Sequence, residues 1–108
     1  MPSEITPREL SARLAAGRPT YLVDVRQRWE HDLVSLASSV LLPLDALPSR
    51  VAELDPPTGA LVVTYCHHGV RSLNAAMFLA ARGWSDVASL AGGIDAWARE
   101  IDPSLPRY

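Results

Sequence analysis

Short apolar runs alternate along the chain with stretches whose apolar residues recur at helical spacing. The apolar runs predict strands at residues 21–25, 40–42, 61–65 and 87–90. The first of these runs is apolar at nearly every position, as expected of a strand covered on both faces. The helical spacing predicts helices at residues 47–54, 72–82 and 94–100. Within residues 27–46 the pattern predicts only the short strand.

A further helix near the amino end is predicted from its end signals. Thr6 and Glu9 have the spacing of a capping box, and Pro7 stands at the first helical position. Two leucines one turn apart supply an apolar stripe, and Gly17 is a suitable stop. The chain therefore opens on a helix that precedes the first predicted strand.

The order of these elements indicates the fold class. Strands that alternate with helices favour an α/β fold, with a central parallel sheet covered by helices on both faces. A length of 108 residues suits one domain spanning residues 1–108. Its core is predicted at about 6–100, and residues 101–108 are expected to form a loose tail. Sheets of this kind bind ligands at the carboxyl ends of their strands.

Composition narrows the classes of function. Hydrophobic residues make up 48% and charged residues 20% of the chain, which is typical of a globular protein. A net charge of −2 gives no electrostatic case for a nucleic acid or a membrane as partner. A single cysteine excludes an internal disulfide. The sequence shows neither the features of a signal peptide nor a membrane-length apolar run, so we expect a cytoplasmic protein.

That single cysteine, Cys66, stands between the predicted strand at 61–65 and the helix that follows it. Unpaired backbone N–H groups and the positive end of the helix dipole lie at such a junction, and both favour a sulfur anion. Four residues separate Cys66 from Arg71, so a tight curl of the loop would bring successive N–H groups around the sulfur. Gly69 permits the dihedral angles that such a curl needs. Cys66 is therefore the candidate nucleophile.

Other polar residues surround this candidate. Asp24 and Arg26 leave a neighbouring strand at its carboxyl end, where they are either ordinary strand-end charges or a brace for the Cys66 loop. His67 and His68 suggest a metal site with Cys66. We expect no metal, because adjacent side chains diverge and no fourth ligand has a suitable spacing.

Three motifs in order resemble the rhodanese sulfurtransferases in their single-domain form. The loop Cys66-His67-His68-Gly69-Val70-Arg71-Ser72 resembles the active-site loop of that family. Asp24-Val25-Arg26, followed by Trp29-Glu30, resembles its first-strand exit, and Leu90-Ala91-Gly92-Gly93-Ile94-Asp95-Ala96-Trp97 resembles its closing Gly-Gly motif. The resemblance runs from about residue 6 to 97. Residues 34–39 depart from it, since they lack the glycines and the proline of the family's usual turn.

The resemblance implies a rhodanese-like parallel sheet of about five strands and a two-step sulfur transfer without a cofactor. Cys66 would take the sulfane sulfur of thiosulfate or of a low-molecular-weight persulfide. It would then pass that sulfur to cyanide or to a thiol such as that of thioredoxin or glutathione. Asp24 and Arg26 would support the site. The residues that would cradle the persulfide are His67, His68, Gly69, Val70, Arg71 and Ser72.

Two other functions are compatible with the same elements. Cysteine phosphatases of this fold resemble the chain, but their loop carries one more residue between cysteine and arginine, which widens it for a phosphate. A non-catalytic interaction module would also keep the fold. Against it stands the presence of Cys66 in a loop of full length.

Overall fold

The computed structural model describes residues 3–108, whose five strands form one parallel sheet. The strand order is β1-β5-β4-β2-β3. The predicted α/β class and parallel sheet are confirmed, although β1 was missed because it is short and mostly exposed. The strands are β1 (Ser3–Ile5), β2 (Thr20–Asp24), β3 (Val40–Leu41), β4 (Leu61–Tyr65) and β5 (Val87–Leu90).

Among the described residues, five α-helices connect and cover the strands. The predicted capping box is present in α1, where the Thr6 hydroxyl accepts from the Glu9 amide and the Glu9 carboxylate accepts from the Thr6 amide. The second helix, α2, was not predicted, since it spans only six residues. Short 3₁₀ turns flank α3 at Leu44–Ala46 and Val51–Glu53. The helices are α1 (Pro7–Ala15), α2 (Arg28–Leu33), α3 (Leu47–Arg50), α4 (Val70–Ala81) and α5 (Gly93–Glu100).

The core lies in two layers, one on each face of the sheet. Neighbouring side chains of a strand point to opposite faces, so Leu22 packs in one layer and Val23 in the other. The layer containing Val23 is covered by α3 and α4, and the layer containing Leu22 by α1 and α5. Cys66 follows β4 and belongs to the α4 layer. Within residues 3–108, no helix combines the length and apolarity that a membrane crossing requires.

Residues 101–108, which the sequence predicts to be a loose tail, lie against the domain. Leu105 and Tyr108 pack on the layer beneath α1 and α5. The Arg107 guanidinium lies 2.9 Å from a carboxylate oxygen of Asp95 on α5. The composition of the tail is typical of a mobile segment, but it does not reveal these contacts with distant residues. They bring the end of the tail to the carboxyl ends of the strands, where Tyr108 stacks on His67.

Candidate active site

Cys66 lies at the carboxyl end of β4, where its side chain and backbone are only 1% exposed. Its Sγ accepts hydrogen bonds from the backbone amides of Gly69, at 3.1 Å, and Ser72, at 3.3 Å. The Ser72 hydroxyl lies 3.4 Å from the same sulfur. Because α4 begins at Val70, the sulfur also lies at the positive end of this helix. The curl expected from the four-residue spacing is present, and two of its amides converge on the sulfur.

Gly69 is the residue that makes the curl possible. Its φ of +104° lies in the region that side chains disfavour. A Cβ at this position would also lie 3.2 Å from the backbone nitrogen of Gly92. The loop therefore requires glycine here for both its dihedral angle and its close packing.

The amino end of α5 fixes the orientation of the loop from behind. The amide of Ile94 donates to the Cys66 carbonyl at 2.8 Å, and the amide of Asp95 donates to the His67 carbonyl at 3.1 Å. A Cβ at Gly93 would collide with both carbonyl oxygens. These contacts fix the backbone at Cys66 and His67 against the amino end of α5. The glycine pair, interpreted from sequence as a turn, thus also supports the Cys66 loop.

Two buried serines extend the hydrogen-bond network around the Cys66 sulfur. The hydroxyls of Ser72 and Ser89 lie 2.7 Å apart, and both residues are fully buried. The Thr64 hydroxyl donates to the Ser72 carbonyl at 2.8 Å. Sequence analysis missed Ser89, because a single serine in an apolar strand carries no signal of its own.

The guanidinium of Arg71 is paired with Glu30 of α2. Its two terminal nitrogens donate to the two carboxylate oxygens of Glu30 at 2.8 and 3.0 Å. These bonds lower the pKa of Glu30 to about 2 despite burial, with further bonds from the Gln27 amide and the Tyr108 hydroxyl. They also raise the pKa of Arg71. Arg71 lies at the end of the loop as predicted, with its charge matched by a carboxylate 41 residues away.

Asp24 and Arg26 form a completely buried ion pair beside the loop. Arg26 donates from Nε and Nη2 to the two carboxylate oxygens of Asp24, at 2.8 and 2.7 Å. Burial would lower the pKa of Arg26, but the bonds to Asp24 and Tyr108 raise it above its usual value. The Tyr108 hydroxyl accepts from Arg26 Nη1 and donates to a carboxylate oxygen of Glu30, each at 2.8 Å. The pair therefore reaches Arg71 through Tyr108 and Glu30.

His67 and His68 stack against each other instead of diverging. Their ring centroids are 3.9 Å apart, and Tyr108 stacks on the other face of His67 at the same distance. This sandwich, which includes a residue of the tail, explains why the expected divergence was wrong. Burial and the neighbouring His68 lower the pKa of His67.

One group of side chains in the described residues has metal-ligand geometry. The donor atoms of His67, His68 and Asp95 lie within 4.8 Å of one another. The Asp95 carboxylate already pairs with Arg99 at 3.1 Å and with Arg107 at 2.9 Å. A cation bound there would compete with those guanidinium groups for the carboxylate. The site around Cys66 itself offers a sulfur cradle built from amides and hydroxyls.

The segment at residues 34–39, which departs from the family pattern, packs beside the buried ion pair. Arg26 donates to the Val34 carbonyl. The Tyr65 hydroxyl accepts from the Leu36 amide at 3.1 Å and lies 2.7 Å from the Ser39 hydroxyl. Ser38 adopts a φ of +63°. Side chains from β4 and from the β2 exit thus hold this turn without the usual glycines.

Comparison with known proteins agrees with the motifs. Residues 6–100 match the family of the rhodanese-like domain. The chain is 39% identical over 106 residues to a probable adenylyltransferase/sulfurtransferase MoeZ of Mycobacterium tuberculosis, covering 98% of this chain and 27% of that protein. It is 38% identical over 99 residues to a sulfurtransferase of Allochromatium vinosum, covering 92% and 91% of the two chains.

Solved structures share the same architecture. A rhodanese-like domain protein of Staphylococcus aureus superimposes with a TM-score of 0.80 at 28% identity, over 98% of both chains. The chain spans only about a quarter of the length of the first curated relatives that it matches. The family match nevertheless extends over nearly all of this chain. By sequence and by fold, the chain belongs to the rhodanese-like domain family.

Proposed function

We propose that the protein is a sulfurtransferase in which Cys66 carries a sulfane sulfur as a persulfide. The observation that supports this most strongly is the convergence of the Gly69 and Ser72 amides on the Cys66 sulfur, at 3.1 and 3.3 Å. Such donors stabilise negative charge on sulfur without supplying a proton at neutral pH. Relatives named sulfurtransferases support the same chemistry, including one that this chain matches over most of both lengths.

In the first step the Cys66 thiolate attacks the outer sulfur of the donor. The new S–S bond forms as the bond between that sulfur and the rest of the donor breaks. The leaving group departs with the electron pair, as sulfite from thiosulfate or as a thiolate from an organic persulfide. The protein is left with one added sulfur on Cys66, and this covalent intermediate divides the transfer into two easier steps.

In the second step a nucleophile takes the outer sulfur from Cys66. Cyanide would leave as thiocyanate, and a thiol such as that of glutathione or thioredoxin would leave as a persulfide. The Cys66 sulfur departs as a thiolate, to which the Gly69 and Ser72 amides already donate. The same hydrogen bonds therefore favour the attacking anion of the first step and the leaving anion of the second.

Intact mass spectrometry tests the proposal. The protein is incubated with thiosulfate, and separately with an organic persulfide, and is then analysed without reductant. We expect a gain of one sulfur atom that cyanide removes. Because Cys66 is the sole cysteine, Cys66→Ser is the matched control and should gain none. An unmodified wild type with both donors, or an equal gain in the variant, would contradict the proposal.

A further inference from the structure

Each arginine around the Cys66 loop is already paired with a carboxylate. Arg71 pairs with Glu30, and the buried Arg26 pairs with Asp24. On the other side of the loop, Arg99 and Arg107 both pair with Asp95. The single surplus positive charge there is on half-exposed side chains, where water and salt screen it. In the part of the chain that the structure describes, the loop thus offers an incoming sulfur donor backbone amides but no unpaired guanidinium.

Glu30 is held as a fixed negative charge next to the loop. The residue is only 3% exposed, and its carboxylate accepts from Arg71, from the Gln27 amide at 3.0 Å and from the Tyr108 hydroxyl at 2.8 Å. Its lowered pKa, mainly due to Arg71, keeps it ionised at any pH used for activity. The charge of Arg71, which the loop would otherwise offer to an anion, is thereby cancelled.

Aromatic rings line the surface on the Tyr108 side of the loop. Tyr108 stacks on His67, and Trp29, 63% exposed, packs edge-on against Tyr108 at 5.8 Å. Burial lowers the pKa of His67, which favours its neutral form near neutrality. A surface of this kind suits the carbon skeleton of an organic donor better than a small multiply charged ion.

We propose that this site selects its sulfur donor by charge, and that it prefers singly charged organic persulfides and thiosulfonates over the thiosulfate dianion. The inference rests on the proposed function. The cost of removing an ion from water grows with the square of its charge, so a dianion needs a free cation more than a monoanion does. Glu30 acts as a positioning residue: it binds the Arg71 guanidinium, so this cation is not free to pair with a donor.

Two donors with the same reacting atom measure the preference. Thiosulfate and methanethiosulfonate both present a terminal sulfane sulfur, with charges of about −2 and −1 near neutral pH. The Cys66 thiolate takes that sulfur from either one, and the leaving group is sulfite or methanesulfinate. Neither transfer needs an oxidant or a reductant. With cyanide as acceptor, thiocyanate formation gives kcat/KM for each donor.

The deciding variant is Glu30→Gln, which frees the charge of Arg71. We expect kcat/KM for thiosulfate to rise about tenfold and that for methanethiosulfonate about threefold, because the dianion gains twice the Coulomb energy. Glu53→Gln is the matched control, since it removes the carboxylate of the exposed Arg50–Glu53 pair, which makes no described hydrogen bond to the Cys66 loop. It should leave both values unchanged. An equal loss for both donors in Glu30→Gln would show that Glu30 only supports the fold, and would overturn the inference.

A milder variant keeps the test valid if Glu30→Gln does not fold. Tyr108→Phe removes the hydroxyl that donates to Glu30 and keeps the ring that stacks on His67. We expect the ratio of the two kcat/KM values to move away from thiosulfate by about twofold, because Glu30 without the Tyr108 donor leaves more uncompensated negative charge beside Arg71. Tyr21→Phe, which removes a hydroxyl that accepts only from the Asp55 amide among the described contacts, should not move it. A ratio unmoved in Tyr108→Phe while both donors modify Cys66 contradicts this inference alone, whereas failure of both donors to modify wild-type Cys66 contradicts the proposed function as well.

Discussion

The two ends of the Cys66–Ser72 loop differ in the groups that would stabilise an anion. At the sulfur, two backbone amides and a hydroxyl surround Cys66, and no charged side chain of residues 3–108 forms a hydrogen bond with it. At Arg71 the loop carries a full charge, which is matched by the carboxylate of Glu30. The amides are neutral dipoles that do not titrate, whereas the ion pair responds to pH and to substitution of its partner. We infer that the amides serve the sulfur and that the charges mainly set which donor approaches it.

Replacement of the Cys66 sulfur has the largest expected effect, a loss of catalytic activity. Cys66→Ser keeps the amide cradle and the Arg71–Glu30 pair but replaces the nucleophile with a much weaker one. We expect kcat/KM for thiocyanate formation to fall at least about a thousandfold. Circular dichroism serves as the control for folding. Retention of transfer in a folded Cys66→Ser protein would place the chemistry elsewhere.

The amide cradle around Cys66 can be disrupted at Gly93, where α5 packs against the loop. A Cβ there would collide with the carbonyls of Cys66 and His67, in addition to the strain of a φ of +65°. We expect Gly93→Ala to lower the free energy of unfolding by about 3 kcal/mol, measured by urea denaturation. Gly59→Ala is the matched control, because Gly59 has a φ of +83° with no atom near its Cβ position. It should cost about 1 kcal/mol. Equal costs at the two glycines would refute the close packing of α5 against the loop.

The stability of the protein at low pH tests the Arg71–Glu30 pair. The folded protein lowers the pKa of Glu30 from 4.5 to about 2, chiefly through its bonds to Arg71. The stabilisation from Glu30 is therefore fully present above pH 4.5 and is lost as the pH falls toward 2. We expect the free energy of unfolding of wild type to fall more steeply across this window than that of Glu30→Gln. If the free energy of unfolding falls equally steeply with pH in the two proteins, Glu30 is not bound by Arg71 in solution.

The smallest expected effect concerns the tail, which links the Arg26–Asp24 ion pair to the Arg71–Glu30 ion pair. Tyr108→Phe removes a hydroxyl that bonds to Arg26 and to Glu30. Bonds to charged groups stabilise more than neutral ones, so we expect a loss of about 2 kcal/mol in the free energy of unfolding. Tyr21→Phe, which loses one exposed bond to a backbone amide, should cost at most about 1 kcal/mol. A cost for Tyr108→Phe no larger than for Tyr21→Phe would mean that the tail is loose, as its composition suggests.

The parts of the fold that sequence predicts are those determined by neighbouring residues. The α1 capping box lies within four consecutive positions, and β4 is one apolar run that ends at Cys66. The curl of the Cys66 loop follows likewise from its own spacing and from Gly69. These features need no knowledge of the rest of the chain.

Contacts between distant residues could not be predicted in the same way. Glu30 and Arg71 are 41 positions apart, and Arg26 and Tyr108 are 82 apart. Nothing at Tyr108 distinguishes it from any terminal tyrosine until the fold brings it to His67. The same tyrosine stacks on one of the two histidines, and the expectation that their side chains diverge had no local signal to correct it.

The division of roles within the loop is the central claim, and a ¹H–¹⁵N NMR spectrum tests it most directly. Spectra are recorded before and after methanethiosulfonate converts Cys66 to its persulfide. We predict that the largest shifts fall on the amides of Gly69 and Ser72, while the side-chain Nε–H signal of Arg71 stays nearly unchanged. A large shift at Arg71 with little change at the two amides would contradict the account, because the charge and not the cradle would then hold the sulfur.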